Sequence, residues 1–492
     1  MTELHDLAAV DLRRLHADGE VSAAELADHF LARIERANPR LRAFVTVTPE
    51  AAREHAAALD AEREAAPAAA ADLESAPLRG LPFGDKDLVD RAGVQTSWGS
   101  VVGLGNVPAE SARLVRDMDA AGGVSLGKTN CPEFGFPAYT ENRIGEPARN
   151  PWDLDRTPGG SSGGAAVAVA ARLLPFAPGS DGGGSIRIPA AACGLVGLKT
   201  SRGRIPGGGA VDALAGLPVA GPLARSAADA ALLLDGMVGP RSHEGRAADP
   251  FALTAPGGER SYLRALEGAS RPRGLRIGVS RWSPWRERME IAVGERAERA
   301  LELAVERLAA AGHEIVEAPE PPAWQGYSEA FRTVWQAGGA ALPLPEAALA
   351  HVEPLTRWLV GVGRERTAAE LAQALAWLSA FEARVIAAYA EFDAVLTPML
   401  ADAPPALGAF DPEDGERNFE QQCQFTPFTS YVNVAGLPAI SMPVLEADGL
   451  PFGVQAIGRP GDELGLLVLA RELERELEWS SRLAPGAALG DA

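Results

Sequence analysis

The chain is short of cysteine and of long apolar runs. Its 492 residues include three cysteines, Cys131, Cys193 and Cys423, an odd number at distant positions. Such usage argues against a disulfide framework and is typical of a reducing compartment. A membrane-spanning helix needs a run of about 18 apolar residues, and none is present. Since the first residues also lack the basic and apolar regions of a secretory signal, we expect a cytoplasmic protein.

Basic residues are outnumbered as well. The chain has 46 Lys and Arg against 66 Asp and Glu, a formal net charge of −20. An acidic surface opposes non-specific binding to nucleic acid and to anionic membranes, so neither is expected as a partner. There are only seven histidines, and no cluster of His, Cys and Asp has the spacing of metal ligands. The sequence therefore predicts neither a metal nor an organic cofactor.

Two glycine-rich loops that carry serine are the most informative feature that is present. Residues 159–164 read GGSSGG, and residues 180–185 read SDGGGS. A glycine run can direct several backbone N–H groups at one point, which suits an oxygen that becomes negative during a reaction. A serine beside such a loop is a candidate nucleophile and the other serine a candidate proton relay, but both need a base.

The predicted base is Lys86, which lies in the short apolar stretch GLPFGDKDL at residues 80–88. Burial in a low dielectric penalises the ammonium form, so a buried lysine can be neutral and accept a proton. The ordinary alternative is a surface lysine paired with Asp85 or Asp87. The two serine loops favour the base.

These motifs resemble the amidase signature family of Ser-Ser-Lys hydrolases. Similar segments are residues 127–130, 133–135, 150–152, 193–199, 433–441 and 453–455. The resemblance covers roughly residues 5–235 and 390–475. It implies one domain over residues 1–492 with an α/β fold, a layered α/β/α sandwich around a large mixed β-sheet. Residues 240–385 match no pattern and are expected to form a variable region that lines the substrate pocket.

The resemblance also implies a role for each matched residue. Ser185 would attack an amide carbonyl and form an acyl-enzyme, Ser161 would relay the proton, and Lys86 would be the neutral base. In the family the residue at the Ser161 position has a cis peptide bond. The backbone N–H groups of Gly182, Gly183, Gly184 and Ser185 would form an oxyanion hole. The side chains of Ser162, Asp181 and Arg187 would support the loops.

The expected function is therefore that of an amidase. It would hydrolyse a small linear or cyclic carboxamide to a carboxylic acid and ammonia or an amine. Bacterial enzymes that open cyclic or linear amide oligomers are similar in layout and length. The physiological amide and the oligomeric state are left open, with a homodimer among the alternatives.

Two positions depart from the family pattern. Gly182 stands where the family usually has a larger residue, which predicts a looser loop. Asp85 stands directly before the base, where the family tends to have an apolar residue. Because neighbouring side chains of a strand point to opposite faces, Asp85 need not touch the amine of Lys86.

Three other functions are weighed against the amidase. The catalytic subunit of a tRNA-dependent amidotransferase shares the motif set, but that branch carries glutamine where Ile188 stands. Residues 160–164 match GxSxG, the nucleophile elbow of α/β-hydrolase esterases, with Ser162 as nucleophile. Residues 122–129 match the phosphate-binding pattern GxxxxGK[ST]. Both of these motifs need a preceding strand, and the sequence predicts a loop before the first and a helix before the second.

The esterase alternative also needs a histidine base. None of the seven histidines lies near the glycine loops in sequence. Distance along the chain does not exclude a triad in space, so His243, His313 and His351 stay open as candidates.

Helix and strand signals alternate along the chain and favour a layered α/β core. The second of two helices in residues 3–38 begins with the capping-box spacing at Ser22. Residues 239–273 are the best linker candidate. The other predicted helices are 51–71, 113–121, 165–171, 227–237 and 292–311, and the predicted strands are 124–126, 275–280 and 313–316.

Most of the nine tryptophans lie in the unmatched middle of the chain. They are Trp282, Trp285, Trp324, Trp335, Trp358 and Trp377. Tyr327, Phe331 and Trp335 recur every four residues, so they share one face of a helix. Core packing is the ordinary interpretation. The functional one is a pocket for the acyl or amine group, and we hypothesise that substrate choice is set there.

Overall fold

The computed structural model describes residues 3–66, 72, 74–205, 214–239, 261–270 and 273–491. Helices and strands alternate through these residues. The α-helices are α1 Ala9–Ala17, α2 Ala23–Leu41, α3 Pro49–Ala65, α4 Arg113–Ala120, α5 Gly163–Ala170, α6 Arg187–Ala192, α7 Ala227–Met237, α8 Tyr262–Gly268, α9 Glu295–Ala310, α10 Tyr327–Ala340, α11 Pro354–Glu365, α12 Ala368–Tyr389, α13 Gly415–Phe425, α14 Ser430–Val434 and α15 Glu463–Leu477.

The strands form two sheets. They are β1 Phe44–Val47, β2 Pro82–Lys86, β3 Val124–Thr129, β4 Phe176–Asp181, β5 Val196–Lys199, β6 Val219–Ala224, β7 Arg276–Val279, β8 Glu314–Glu317, β9 Ala394–Pro398, β10 Ala439–Ala447 and β11 Leu450–Gly458. The large sheet has eight strands in the order β4-β6-β5-β10-β11-β9-β7-β8. Since β7 is parallel to β8 and β9 while the other pairs are antiparallel, this sheet is mixed. A smaller sheet has the order β1-β3-β2.

Helices cover both faces of the large sheet because both faces are apolar. Successive residues of β9, β10 and β11 alternate between two cores, as the pleat of a strand requires. Leu396, Ile440 and Ala456 join the core that includes residues of α7, α9 and α15. Val395, Ala439 and Ile457 join the core that includes residues of α10, α11 and α12. The expected α/β/α sandwich around a large mixed sheet is confirmed.

Most of the predicted elements are present. The capping box at Ser22 is confirmed: Ser22 Oγ accepts from Glu25 N at 3.0 Å, and Glu25 Oε2 accepts from Ser22 N at 2.8 Å. The predicted strand 124–126 continues to residue 129, and the predicted helix 292–311 spans Glu295–Ala310. The end of the predicted helix 51–71 and most of the predicted linker 239–273 lie outside the described residues.

The three cysteines are free and buried. The prediction that they form no disulfide framework is therefore confirmed. Short 3-10 helices complete the secondary structure, at Leu4–Asp6, Val101–Gly103, Glu133–Gly135, Leu214–Gly216, Pro284–Glu287, Glu346–Ala350, Trp479–Ser481 and Pro485–Gly490.

One helix of the described part, α12, is long and apolar enough to cross a membrane, judged by length and composition alone. It begins at a capping box on Thr367 and buries five residues, Ala374, Leu378, Phe381, Val385 and Tyr389. All five belong to the core that α12 shares with α10 and α11. A helix that packs on a protein core passes the same test, so the match alone does not identify a membrane span.

Candidate active site

Three hydroxyl groups surround the amine of Lys86. This residue ends β2, whose five residues are all buried, and its side chain is fully enclosed. Its Nζ lies 2.8 Å from Ser161 Oγ, 2.9 Å from Ser162 Oγ and 3.0 Å from Ser180 Oγ. The two serine loops and the predicted base therefore meet at one buried point.

Burial changes the protonation of this amine. Desolvation lowers the pKa of Lys86 from 10.5 to about 8, because the ammonium form loses its hydration. The electrostatic effects of Cys131 and Asp181 oppose the shift. The hydrogen bonds of Nζ go to hydroxyl and carbonyl oxygens. At a pKa of about 8, about a tenth of the amine is neutral at pH 7.

The two aspartates beside Lys86 are engaged elsewhere. Asp85 accepts from Arg91 Nε at 2.6 Å and from Ser125 Oγ at 2.7 Å. Asp87 accepts from Ser97 and lies 3.8 Å from Lys128. The ordinary alternative, a surface lysine paired with one of these aspartates, is wrong.

The first serine loop precedes the buried helix α5. Every residue of α5 is buried, and Ser162 is its N-cap residue. A Cβ at Gly164 would lie 2.3 Å from Asn130 N, so only glycine permits this close packing. The Gly160–Ser161 peptide bond is cis, as the resemblance implies. Ser162 N donates to Ser185 O at 3.1 Å, which ties the first loop to the second.

The second loop connects β4 to α6 and turns sharply at Gly184. This residue has a φ of +133°, and a Cβ there would lie 2.6 Å from both Ile188 Cδ1 and Thr429 Oγ1. A side chain is therefore excluded on two grounds. Thr429 Oγ1 also donates to Gly183 O at 2.5 Å, which fixes the peptide bond between Gly183 and Gly184.

A buried ion pair supports this loop from below. Asp181 and Arg187 are both 0% exposed, and Arg187 Nη2 lies 2.9 Å from Asp181 Oδ1. Burial alone would raise the pKa of the Asp181 carboxyl, but Arg187 lowers it well below its ordinary value. Asn433 Nδ2 donates to Asp181 Oδ1 at 2.9 Å, and Arg187 Nη1 donates to Gln455 Oε1 at 2.5 Å. Since the charges are paired and hydrogen-bonded, the network can stay ionised inside the protein.

The carboxylate of Asp181 also binds the backbone of the loop. Its Oδ1 accepts from Gly184 N at 2.7 Å, and its Oδ2 accepts from Ile186 N at 3.2 Å. The N–H of Gly184 therefore already has an acceptor. Asp181 and Arg187 lie behind the loop, as expected for supporting residues.

A cavity of about 50 Å³ opens beside Ser185. Three aromatic residues of the unmatched middle, Trp285, Phe331 and Trp335, contribute to its wall. Trp282, Tyr327 and Phe381 instead pack in the core behind it. The full lining is Phe136, Ala138, Gly183, Ser185, Ile188, Trp285, Phe331, Trp335, Phe419, Gln422, Cys423, Thr426, Thr429 and Ser430.

The sequence reasoning missed Ser180 and the residues of α13 and α14. Ser180 directly precedes Asp181 in the second loop, so the hydroxyl was visible in the motif, but its contact with Lys86 depends on how β4 packs beside β2. Gln422, Thr426, Thr429 and Ser430 belong to no recognisable motif. No signal in the chain marks them as neighbours of Ser185.

The phosphate-loop alternative is wrong. Strand β3 lies inside the motif, and α4 precedes it. The side chain of Lys128 is buried in the strand and donates to Val89 O at 2.5 Å and to Thr96 Oγ1 at 2.9 Å. A phosphate-binding lysine must instead reach a loop before a helix.

The esterase elbow is not formed either. Ser162 follows turns and loop rather than a strand, and its hydroxyl contacts Lys86. His313 bonds Glu472 at 2.9 Å, and His351 is exposed. His243 lies outside the described residues. Within the described part of the chain, no group of three or more His, Cys, Asp or Glu is arranged to hold a metal ion.

Comparisons with known proteins find similar sequences and structures over nearly the whole chain. The family model described as Amidase matches residues 25–467. "Putative amidase AmiB2" of Mycobacterium tuberculosis (strain ATCC 25618 / H37Rv) is 38% identical over 485 residues, which is 98% of each chain. A glutamyl-tRNA(Gln) amidotransferase subunit of Roseiflexus sp. (strain RS-1) is 34% identical and covers 98% of this chain and 99% of its own. The solved structure of 6-aminohexanoate cyclic dimer hydrolase has a TM-score of 0.85 at 31% identity, over 99% of this chain and all of that one.

Proposed function

Because this chain belongs to the amidase family and is an amidohydrolase, we propose that it hydrolyses an uncharged carboxamide through an acyl-enzyme at Ser185. Ser161 relays the proton, and Lys86 is the general base. The observation that carries the proposal is the enclosed amine of Lys86, with a pKa of about 8 and 2.8 Å from Ser161 Oγ. A neutral amine in contact with a relay hydroxyl can activate an alcohol without histidine.

Hydrogen-bond accounting supports this direction of proton transfer. A neutral amine has two N–H donors and one lone pair. Ser162 Oγ donates to Ser180 O at 3.3 Å, so toward Lys86 it acts as an acceptor. Ser180 Oγ, at 3.0 Å, can accept the second N–H. The lone pair then faces Ser161, which can give its proton to Lys86 as it takes one from Ser185.

The second loop would stabilise the negative oxygen. As Ser185 Oγ attacks, the carbonyl π bond becomes an oxyanion that needs N–H donors. Since Gly184 N already donates to Asp181, we assign the oxyanion hole to the N–H groups of Gly182, Gly183 and Ser185. Gly184 then contributes to the oxyanion hole only indirectly, because its positive φ makes the sharp turn of the loop.

Collapse of the tetrahedral intermediate completes the first half. The C–N bond breaks, the ammonium of Lys86 returns a proton through Ser161 to the leaving nitrogen, and ammonia or an amine departs. Water then attacks the acyl-enzyme, with the same base accepting its proton. The ester bond to Ser185 breaks, the carboxylic acid is released, and the serine hydroxyl is restored.

The cavity would hold the acyl side of the substrate. The leaving nitrogen must face Ser161 and Lys86, which protonate it, and neither residue lines the cavity. The acyl group therefore points the other way, into the cavity. No lining residue is a carboxylate, lysine or arginine, and burial raises the pKa of the Cys423 thiol well above its ordinary value. A charged acyl group would find no counter-charge there.

The nucleophile is tested by mapping a fluorophosphonate adduct by mass spectrometry. We expect the label on Ser185, and a fall in kcat of about 10⁴- to 10⁶-fold for Ser185→Ala. Ser379→Ala, which changes an exposed serine of α12, is the matched control and should keep full activity. A label on Ser162, or hydrolysis that survives in Ser185→Ala, contradicts the proposal.

The second candidate is the catalytic subunit of a tRNA-dependent amidotransferase, since an amidotransferase subunit is among the relatives. That reaction takes ammonia from glutamine, whose acyl side carries an ammonium and a carboxylate. The uncharged cavity, with Ile188 in its wall, favours the amidase. Ammonia release from simple amides by the isolated chain supports the amidase, and glutaminase activity that needs partner subunits supports the alternative.

Location and partners stay predictions. The free, buried cysteines support a cytoplasmic enzyme that acts on small amides, and the net charge of −20 opposes binding to nucleic acid and to anionic membranes. Salt-dependent retention on DNA or on anionic vesicles is the measurement that would contradict this.

A further inference from the structure

Gly182 and Gly183 of the second loop face two aromatic rings on one side of α10, those of Trp335 and Phe331. A Cβ at Gly182 would lie 3.4 Å from Trp335 Cη2 and 3.6 Å from Cζ3. A Cβ at Gly183 would lie 3.9 Å from Phe331 Cζ. The loop that carries the proposed oxyanion donors is thus in contact range of the aromatic face of α10.

The backbone does not require glycine at position 182. Gly184 has a positive φ, whereas Gly182 does not belong to the positive-φ glycines. A methyl group would make an ordinary contact with the indole, and further atoms in that direction would meet the ring. The indole of Trp335 therefore occupies the space into which a larger side chain at 182 would extend.

The indole is held from two sides of the cavity. It stacks on Phe331 with the ring centroids 5.4 Å apart and the planes at 19°. It meets Phe136 edge-on, with centroids 5.9 Å apart and planes at 70°. Phe136 directly follows Gly135, where a Cβ would lie 3.3 Å from Ser161 Oγ. Trp335 therefore lies between α10 and the side of the cavity near Ser161.

The space beside Ser185 is small. Its volume is about 50 Å³, and by this measure one water-sized group needs about 10–15 Å³. About three to five water-sized groups therefore fit without movement of the walls. Trp335 is only partly buried, so its ring is more accessible than those of Trp285 and Phe331 beside it.

We propose that Trp335, seated over Gly182, sets the upper size limit of the acyl group, so that the enzyme prefers short, uncharged, apolar acyl groups. Longer or aryl acyl groups require this indole to be displaced. The inference rests on the proposed function, and it adds a specificity-determining pair to it.

The first experiment compares primary amides that share ammonia as leaving group. Propionamide, butyramide, hexanamide and benzamide are assayed with the wild type and with Trp335→Ala. We expect the ratio of kcat/KM for hexanamide or benzamide over propionamide to rise at least about tenfold in the variant. Trp324→Ala removes an indole of the same region that does not line the cavity, and it should leave the ratio unchanged.

The second experiment tests the juxtaposition itself. Gly182→Leu should lower kcat/KM for propionamide at least about tenfold in the wild type. Adding Trp335→Ala should restore most of this loss, because the leucine then takes the volume of the indole. Gly182→Leu is assayed in both backgrounds, so the Trp335→Ala single variant is the reference for the double variant. An equal loss in both backgrounds contradicts the pairing.

Failure of this inference is distinguishable from failure of the proposed function. A folded Trp335→Ala enzyme that labels at Ser185 and keeps the wild-type ratio overturns the size limit alone. A wild type that hydrolyses no amide of the series, or labels elsewhere, overturns the amidase mechanism. Circular dichroism establishes that each variant is folded.

Discussion

Two regions meet at Ser185, and different forces hold them. The proposed catalytic loops, residues 159–164 and 180–187 with Lys86, are buried or partly buried and are joined by directional hydrogen bonds, such as those of Asp181 and Arg187. The aromatic wall, made by α10 with Trp285, is held by ring contacts. Hydrogen bonds fix orientation to within a narrow range, whereas apolar packing tolerates exchange of similar volumes.

The two regions should therefore control different properties of the enzyme. Proton transfer needs fixed distances, so the catalytic loops should decide whether the enzyme works at all. Shape decides which acyl group fits, so the aromatic wall should decide the order of preference among substrates. The following changes test this division, starting with the largest expected effect.

Lys86→Met should lower kcat about 10²- to 10⁴-fold, because the proposed general base is lost while the volume is kept. Lys199→Met is the matched control. Lys199 is also buried, with a pKa lowered to about 7, chiefly by burial, but it donates to Thr200 O and Leu437 O. This control should lower Tm and change kcat less than about tenfold. Equal losses of kcat would contradict a special role for Lys86.

Asp181→Asn should lower kcat about 10²-fold and destabilise the protein by about 3–5 kcal/mol. It leaves Arg187 buried without its charge partner and loosens the loop. Glu298→Gln in α9 breaks a more exposed pair with Arg281, at 2.8 Å, and should cost about 0–1 kcal/mol. Urea unfolding and steady-state kinetics measure both. If the Asp181→Asn enzyme keeps the wild-type kcat, the ion pair is not needed for catalysis.

The pH dependence of kcat/KM should follow the base. Only the neutral amine of Lys86 accepts a proton, so the rate should rise with pH and level off above the pKa of about 8. The gain from pH 7 to the plateau is about tenfold. Trp324→Ala, a change behind the aromatic wall, should give the same profile. A flat profile between pH 6 and 9 would contradict Lys86 as the base.

The same pKa shift affects stability with a defined sign. Because the pKa of Lys86 in the folded protein is about 8 against 10.5 ordinarily, the unfolded chain binds more protons between these values. The contribution of Lys86 to the free energy of unfolding should therefore rise with pH across this window. Comparing urea unfolding of the wild type and Lys86→Met at pH 8 and pH 10 isolates the effect.

Phe331→Leu should produce the smallest change, a shift of about three- to tenfold in preference among the four amides. Phe331 faces Gly183 more loosely than Trp335 faces Gly182, and it is more deeply buried. Trp377→Leu, which changes a ring stacked on Phe381 at 5.2 Å outside the cavity, is the comparison. A uniform loss across the series in Phe331→Leu would assign this ring to packing only.

Much of the fold followed from local patterns. The capping box at Ser22 and the buried helix α5 are encoded within a few residues, so they were predictable. The four-residue spacing of Tyr327, Phe331 and Trp335 likewise placed them on one helix face, where they stack. Element ends were less predictable, because the last turn depends on tertiary contacts.

Parts of the site were out of reach of pattern reasoning. Ser180 is part of the second serine motif, but its contact with Lys86 forms only because β4 packs beside β2. The acceptor for Gly184 N, the carboxylate of Asp181, was visible nearby, but the direction of the N–H depends on the turn. Which rings line the cavity and which pack behind it also depends on how α10 lies against the loop.

The sequence by itself determined the chemical groups: two serine-bearing glycine loops, one lysine in an apolar stretch and an aromatic helix face, because each is a local pattern. Only the tertiary structure decided how they act. Enclosure of Lys86 lowers its pKa, and the approach of α10 to the second loop brings Trp335 next to Gly182, in the wall of the cavity. Both depend on segments far apart in the chain, since desolvation and shape arise only when the layers pack together.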